Sequence, residues 1–264
     1  MNFIRVFLIL TIFILSTLVL ILFQFLSVSL RYRTEIIPQY YHKFIVWLIS
    51  LKIKKYGFFS KKKPMLIVSN HVSWLDILVI SSSLKVCFVA KKEVSDWPFF
   101  GLLAKLQRTV FIERSIRDLI EQKKIMADRL NSGDSLLLFP EGTSSDGKKV
   151  LPFKSSLFSL AEITQIQGEL SIQPITVAYT GLNGLPVGVE NRHLFAWFGE
   201  MSLISHILGV LFAGPAEATI IFHDSVTITN FSSRKELSEH CETVISDGLS
   251  KAISGRLDVI KTHK

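Results

Sequence analysis

The chain has only two cysteines, Cys87 and Cys241, in 264 residues. So few, so far apart, exclude a disulfide framework and the paired spacing of a structural zinc site, and a reducing compartment is the simplest setting. A Gly-x-Ser-x-Gly elbow is also missing; GTSSDG at 142–147 does not match it, which argues against a serine hydrolase. No internal repeat or low-complexity linker breaks the chain, and no second domain boundary follows residue 64. Charge is missing in one place above all, residues 6–30, where VFLILTIFILSTLVLILFQFLSVSL carries none.

What is present follows from that gap. Hydrophobic residues make up 48% of the chain and 20 are phenylalanine, more than a purely soluble domain needs, so part of the chain is expected to meet lipid. The uncharged run is long enough, as a helix, to cross a hydrocarbon layer of about 30 Å. A cleaved signal peptide competes with this reading, but its apolar region would be shorter and end in a small-x-small site, which is not evident. The retained segment is therefore expected to be a membrane anchor, whether it crosses fully or dips in and returns.

Residues 36–63, IIPQYYHKFIVWLISLKIKKYGFFSKKK, begin at Pro38 as a helix would and mix apolar residues with lysine, which reads as an interfacial helix. Nine Lys or Arg and one acid, Glu35, lie between residues 31 and 63, whereas only Arg5 precedes the anchor. This asymmetry places the remainder of the chain on the cytoplasmic side of the inner membrane. The alternative for these lysines is a solvated loop face. Overall, 30 Lys and Arg against 22 Asp and Glu give a net charge of +8. Such a charge attracts an anionic surface or anionic substrates without choosing among phospholipid, nucleic acid and phosphorylated metabolites.

The chain therefore divides into a membrane and basic segment, 1–63, and a globular domain, 64–264. Within the latter, short β-rich runs at 65–69, 86–90, 109–112, 135–139 and 171–179 alternate with helical stretches near 73–82, 97–107, 115–131 and 154–167. A strand at 218–223 and a helix near 232–254 follow. Alternation of this kind predicts an α/β fold, a largely parallel sheet covered by helices, with reactive groups on loops at the carboxyl ends of strands. His71, Asp76, Lys91, Lys92, Glu93, Arg114 and Glu141 all fall in that position.

His71 and Asp76 are five residues apart, a spacing that puts them on different faces of a regular helix. They can meet only if His71 precedes the helix, and Ser73 in SWLD supplies a start, with Asp76 reaching back in a capping box. A capping acid beside an incidental loop histidine is the plain alternative. The chemical alternative is a general base: a carboxylate on one ring nitrogen fixes the tautomer while the other nitrogen takes a proton from an alcohol. With no protein nucleophile in reach of the sequence, the attacking group would be a hydroxyl of the substrate.

Four blocks in order resemble the PlsC-type glycerolipid acyltransferases, whose best-known member is 1-acyl-sn-glycerol-3-phosphate acyltransferase. NHVSWLD matches the His-x4-Asp motif at His71 and Asp76, FIER (111–114) matches the second block, FPEGTSS (139–145) the third, and IQPITV (172–177) the fourth. The resemblance implies that His71 is the base and Asp76 its orienting partner, acting on a thioester of acyl carrier protein or CoA. It implies that Arg114 and Glu141, with Gly142, bind the phosphate end of a lysophospholipid, with Lys91 and Lys92 nearby, and it requires neither metal nor cofactor. The product would be phosphatidic acid, and nucleic acid is no partner. The second block departs at Arg108, where family members often carry glycine. HLFAWFGEMSLISHILGVL (193–211) further resembles a subset that includes enzymes acylating lyso-ornithine lipid, which makes that acceptor the alternative. A non-catalytic protein binding anionic lipid through its basic surface is the alternative of a different class.

Other residues have plainer readings. Glu141 and Gly142 also suit turn chemistry after a strand, Arg114 could pair with a neighbouring acid, and Lys91 and Lys92 could be solvated. His193, His206 and His223 are expected to be structural, and Trp97, Phe99 and Phe100 to pack or touch the interface.

Overall fold

The computed structural model describes residues 2–32, 34–113, 119–162 and 170–257. Helix α1 spans Asn2–Ser29 and α2 Ile36–Leu48. Strands β1 (Leu51–Gly57) and β2 (Met65–Ser69) are followed by α3 (Leu75–Ser83), β3 (Cys87–Lys91), a short 3-10 turn, α4 (Phe100–Leu106) and β4 (Val110–Ile112). Then come α5 (Leu119–Asn131), β5 (Ser135–Leu138), β6 (Ser171–Leu182), the two-residue β7 (Leu185–Pro186), α6 (Leu203–Ala213), β8 (Ala216–Phe222) and α7 (Arg234–Ile253). Among the described residues the strands form one sheet in the order β1-β8-β6-β2-β5-β3-β4, with β7 on β6. The pairs from β6 through β4 are parallel, and β8 runs antiparallel to β6. This is the parallel-rich α/β sheet that the alternation predicts, with a reversed edge.

Every residue of β2 and β5 is buried, because both faces of the central sheet are covered. Side chains alternate between the two layers, as the pleat requires. Ile67 and Leu137 join the core under α2 and α3, whereas Leu66, Val68, Leu136 and Leu138 join the core under α5 and α7.

The segment 36–63 differs from the single interfacial helix expected of it. Only its first half is helix, and residues 51–57 form β1, an edge strand running parallel to β8. The alternation of Leu51 and Ile53 with Lys52 and Lys54 is the period-2 pattern of such an edge, where exposed lysines also discourage pairing with a second chain. Lys54 pairs with Glu217 on β8 at 2.8 Å. Elsewhere the expected helix at 154–167 is a 3-10 turn over Ser155–Glu162, its remainder lying outside the described residues. The helix near 97–107 begins only at Phe100, and α6 joins the elements expected from the sequence.

Helix α1 is 28 residues long, about 42 Å, and its apolar composition over residues 3–29 suffices to cross a membrane. It does not stand clear of the domain. Val6, Ile9, Thr17 and Gln24 are buried along one stripe. At its start Arg5 donates to the carbonyls of Leu211 and Ile49; near its end Gln24 donates to those of Thr34 and Leu106. Leu8, Leu15, Leu22, Phe25 and Leu26 remain exposed on the other faces, the surface left for lipid.

Gly57 ends β1 at φ +74°, and a Cβ there would lie 2.1 Å from the carbonyl oxygen of Phe222. Gly57→Ala is expected to lower stability by roughly 2 to 4 kcal/mol, read as a reduced thermal midpoint of the purified protein in detergent; an unchanged midpoint would contradict the edge pairing described.

Candidate active site

His71 lies in the loop leaving β2, and almost every backbone polar group around it is claimed. Asn70 locks the loop to β6 through a two-way bond with Val177, its Oδ1 accepting from the amide at 2.8 Å and its Nδ2 donating to the carbonyl at 2.9 Å. The His71 amide donates to Glu141 Oε1 at 2.6 Å, and its carbonyl accepts from the Ser145 amide at 2.8 Å. The Val72 carbonyl accepts from the Trp197 amide at 2.9 Å. The loop is thus tied to three separate stretches of chain, around residues 141–145, 177 and 197.

Asp76 is fully buried and holds four donors. Its Oδ2 accepts from His71 Nδ1 at 2.8 Å and from the amides of Val72 and Ser73 at 2.7 and 3.0 Å, and its Oδ1 accepts from the Tyr179 hydroxyl at 2.7 Å. Burial, with the Asp76 charge beside it, holds the Tyr179 hydroxyl well above the usual tyrosine range, so it stays protonated and donates. The expected capping box is half present: Asp76 reaches back to the loop amides, but Trp74 occupies the cap position of α3 and the Ser73 hydroxyl, buried, has no hydrogen-bond partner among the described residues. Asp76, and not the Ser73 hydroxyl, is therefore the side chain that holds the loop amides at the start of the helix and brings His71 to its side.

With Nδ1 donating to Asp76, the imidazole presents Nε2 as its acceptor. The ring stacks on Phe139 with centroids 4.0 Å apart and is only partly exposed. Phe139 in turn stacks on Phe88 at 6.3 Å. An imidazole oriented by a carboxylate that already holds four donors, and walled by aromatics, is suited to accept a proton from a hydroxyl brought to Nε2.

The FPEG block sits directly beneath. Glu141 is 2% exposed; besides the His71 amide it accepts from the Leu151 amide, by Oε2 at 2.8 Å. Burial pushes its carboxyl up to about 7, against the pull of those two amides. The contacts seen for Glu141 are thus to the His71 loop and to residue 151. Gly142 turns at φ +68°, a conformation that explains the glycine, and the Lys154 ammonium lies 2.6 Å from where a Cβ would sit. Ser144 donates to the Trp197 carbonyl and is a structural hydroxyl.

Lys91 ends β3 and Lys92 begins the following 3-10 turn, both at the carboxyl end of the sheet, where Lys92 pairs with Glu113 at 3.4 Å. Arg114 lies outside the described residues. Arg108 stands apart from this end of the sheet: it precedes β4, and its guanidinium bonds Thr34 at 2.7 Å and Asp134 at 2.9 Å. Its φ of +60° explains why glycine suits the position. Among the described residues no cluster of three or more His, Cys, Asp or Glu is placed to hold a metal ion.

Sequence reasoning missed Tyr179 and Asn70. Tyr179 sits in a continuous apolar run and carries no local pattern, while Asn70 precedes the motif without entering it. Two of the three histidines expected to be structural have side-chain partners: His206 Nδ1 accepts from Trp74 Nε1 at 2.9 Å, and His223 Nε2 lies 2.8 Å from the Thr176 hydroxyl; His193 is exposed. Trp97 meets Trp197 edge to face within the domain, and Phe99 meets Phe13 of α1, so both pack as expected and Phe99 joins the domain to the anchor.

Residues 50–178 match the family described as Acyltransferase. The chain is 38% identical to a lyso-ornithine lipid O-acyltransferase of Brucella abortus, over 96% of this chain and 97% of that protein. It is 40% identical to a 1-acyl-sn-glycerol-3-phosphate acyltransferase of Neisseria gonorrhoeae over 37% of this chain and 38% of that protein. A solved structure, the 1-acyl-sn-glycerophosphate acyltransferase of Thermotoga maritima, shares the fold with a TM-score of 0.65 at 22% identity, over 95% of this chain and 97% of that one.

A raised carboxyl keeps its proton in the folded protein over a range where the unfolded chain has lost it, so Glu141 lowers stability as pH rises from about 4.5 to about 7. Relative to Glu141→Gln, the unmodified protein is expected to lose about 3 kcal/mol across that range. The comparison cancels His223, whose ring burial pushes down to about 4 and which acts in the opposite sense. Thermal midpoints of both proteins between pH 4.5 and 8 test this; parallel curves would overturn it.

Proposed function

The chain belongs to the acyltransferase family, and from that premise we propose that it transfers a fatty acyl group from a thioester to the free hydroxyl of a lysolipid, with lyso-ornithine lipid as its acceptor. The observation that carries the reaction is the 2.8 Å bond from His71 Nδ1 to a buried, four-times-donated Asp76, which leaves Nε2 as the base. The acceptor hydroxyl gives its proton to Nε2 as its oxygen attacks the thioester carbonyl. Collapse of the tetrahedral intermediate expels a thiolate, which takes that proton back from the imidazolium. Asp76 stabilises the transient charge on the ring, as carboxylate partners of histidine bases do.

The donor is a fatty acyl thioester of acyl carrier protein or of CoA, and the scheme needs no metal. Glu141 acts as a positioning residue for the catalytic loop. Gly142, Lys91 and Lys92 lie at the end of the sheet that the acceptor head group would enter, and Arg114 is assigned to that head group by the motif resemblance alone.

The choice of acceptor rests on extent. The likeness to the lyso-ornithine lipid enzyme runs through nearly the whole chain, α6 included, whereas the likeness to the enzyme acting on 1-acylglycerol 3-phosphate covers 37% of it. A head group with one carboxylate and one ammonium also suits the mixed charge of the Lys92–Glu113 pair better than a phosphate dianion would. 1-Acylglycerol 3-phosphate is the second reading, favoured by the four motif blocks. The anchor supports a position on the cytoplasmic face of the inner membrane. The stripe that holds α1 to the domain leaves its opposite face to enter lipid, and the basic run after it meets anionic head groups.

Purified protein offered both lysolipids, each with acyl carrier protein and CoA thioesters, is expected to acylate lyso-ornithine lipid with the higher kcat/KM; preference for 1-acylglycerol 3-phosphate would reverse the acceptors. His71→Ala should lower kcat by roughly 10²- to 10⁴-fold, while Ser144→Ala should retain most of it. Full activity in His71→Ala would sink the mechanism.

A further inference from the structure

A cavity of about 400 Å³ opens at the other end of the sheet from His71. Lys63 precedes β2 there, Lys85 precedes β3, Arg108 precedes β4 and Ser135 begins β5, while Arg31 and Glu35 come from the turn between α1 and α2. Four cations line it against two carboxylates, Glu35 and Asp134. Asp134 is already taken, by Arg108 and by Arg129. Lys63 is held by neutral oxygens, the Gly133 carbonyl at 3.1 Å and the Ser135 hydroxyl. Among the described residues, Arg31 and Lys85 have no ion-pair partner.

Strain adds to the charge. Arg31 and Arg108 adopt φ of +51° and +60°, the region that a residue with a Cβ enters only at some cost. Both side chains line the same cavity. Its place in the molecule also matters: the turn carrying Arg31 begins directly after the lipid-facing helix α1, where the polar layer of a bilayer would lie.

We infer that this basic cavity is a phosphate-binding site at the turn between α1 and α2, separate from the catalytic centre, which takes the phosphate of an anionic lipid head group. Arg31 and Lys85 supply the uncompensated charge, and Lys63, already turned toward neutral acceptors, can add a donor. Occupied, the site clamps the membrane turn to the amino ends of the central strands. An unattached phosphate has the same chemistry and is the other source.

The test uses the full chain. Binding to neutral phosphatidylcholine vesicles, with and without one-fifth phosphatidylglycerol, is compared for the unmodified protein, Arg31→Ala/Lys85→Ala and an equal-charge control, Lys123→Ala/Lys124→Ala on α5. A second arm follows the thermal midpoint in detergent as inorganic phosphate is added. The cavity pair is expected to weaken anionic-vesicle binding at least about tenfold more than the control, with turnover in neutral detergent retained. That result with no effect of phosphate on the midpoint assigns the site to lipid. A phosphate-induced rise, lost only in the cavity pair, assigns it to soluble phosphate and overturns the lipid assignment. Equal weakening by both pairs overturns the site altogether, since the attraction would then be general to the basic surface.

Discussion

Asp76 is the constraint on which the active end of the molecule depends. A carboxylate at 0% exposure is tolerable only when its oxygens are met by donors. Here the loop, the histidine and a tyrosine on β6 all converge on it. Satisfying Asp76 forces residues 71–73 to fold back over the start of α3, and that fold places His71 beside it. The same bond sets the tautomer of the ring. Structure and ring orientation are therefore one requirement: a change that left Asp76 short of donors would misplace the loop and the imidazole together.

Glu141 extends the requirement to a second strand. It binds the His71 amide on one side and the Leu151 amide on the other, so the loops after β2 and β5 are held in fixed relation. Their strands are neighbours in register, Met65 beside Ser135, and the two motif blocks meet because parallel neighbours end at the same level. Residues 70 positions apart thus become a single site through sheet order alone.

This explains what was legible in the sequence. Alternating runs announce a buried parallel sheet, and reactive residues just after strands announce where the site lies, so His71, Asp76 and Glu141 could be picked out. Tyr179 could not, because its role depends on β6 lying next to β2, a long-range pairing that no local pattern encodes. The edge strand β1 was masked by its own lysines, which fit a membrane interface as well as a sheet edge. Arg108 looked like a departure at the acceptor site; its positive φ and its bonds to Thr34 and Asp134 move it to the opposite end of the sheet.

The two ends of the sheet then have different tasks. At the carboxyl ends the chain spends its buried carboxylates on fixing one imidazole. At the amino ends it gathers cations around the turn between the two apolar helices. Helix α1 runs the full distance between them, with Arg5 held near the start of β1 and Gln24 held beside α4. A helix fastened at both ends to the domain cannot tilt without carrying the sheet with it, so the exposed apolar face of α1 and the sheet keep a fixed relation. That coupling is why an anchor dense in apolar residues still retains a buried glutamine and threonine along its inner side.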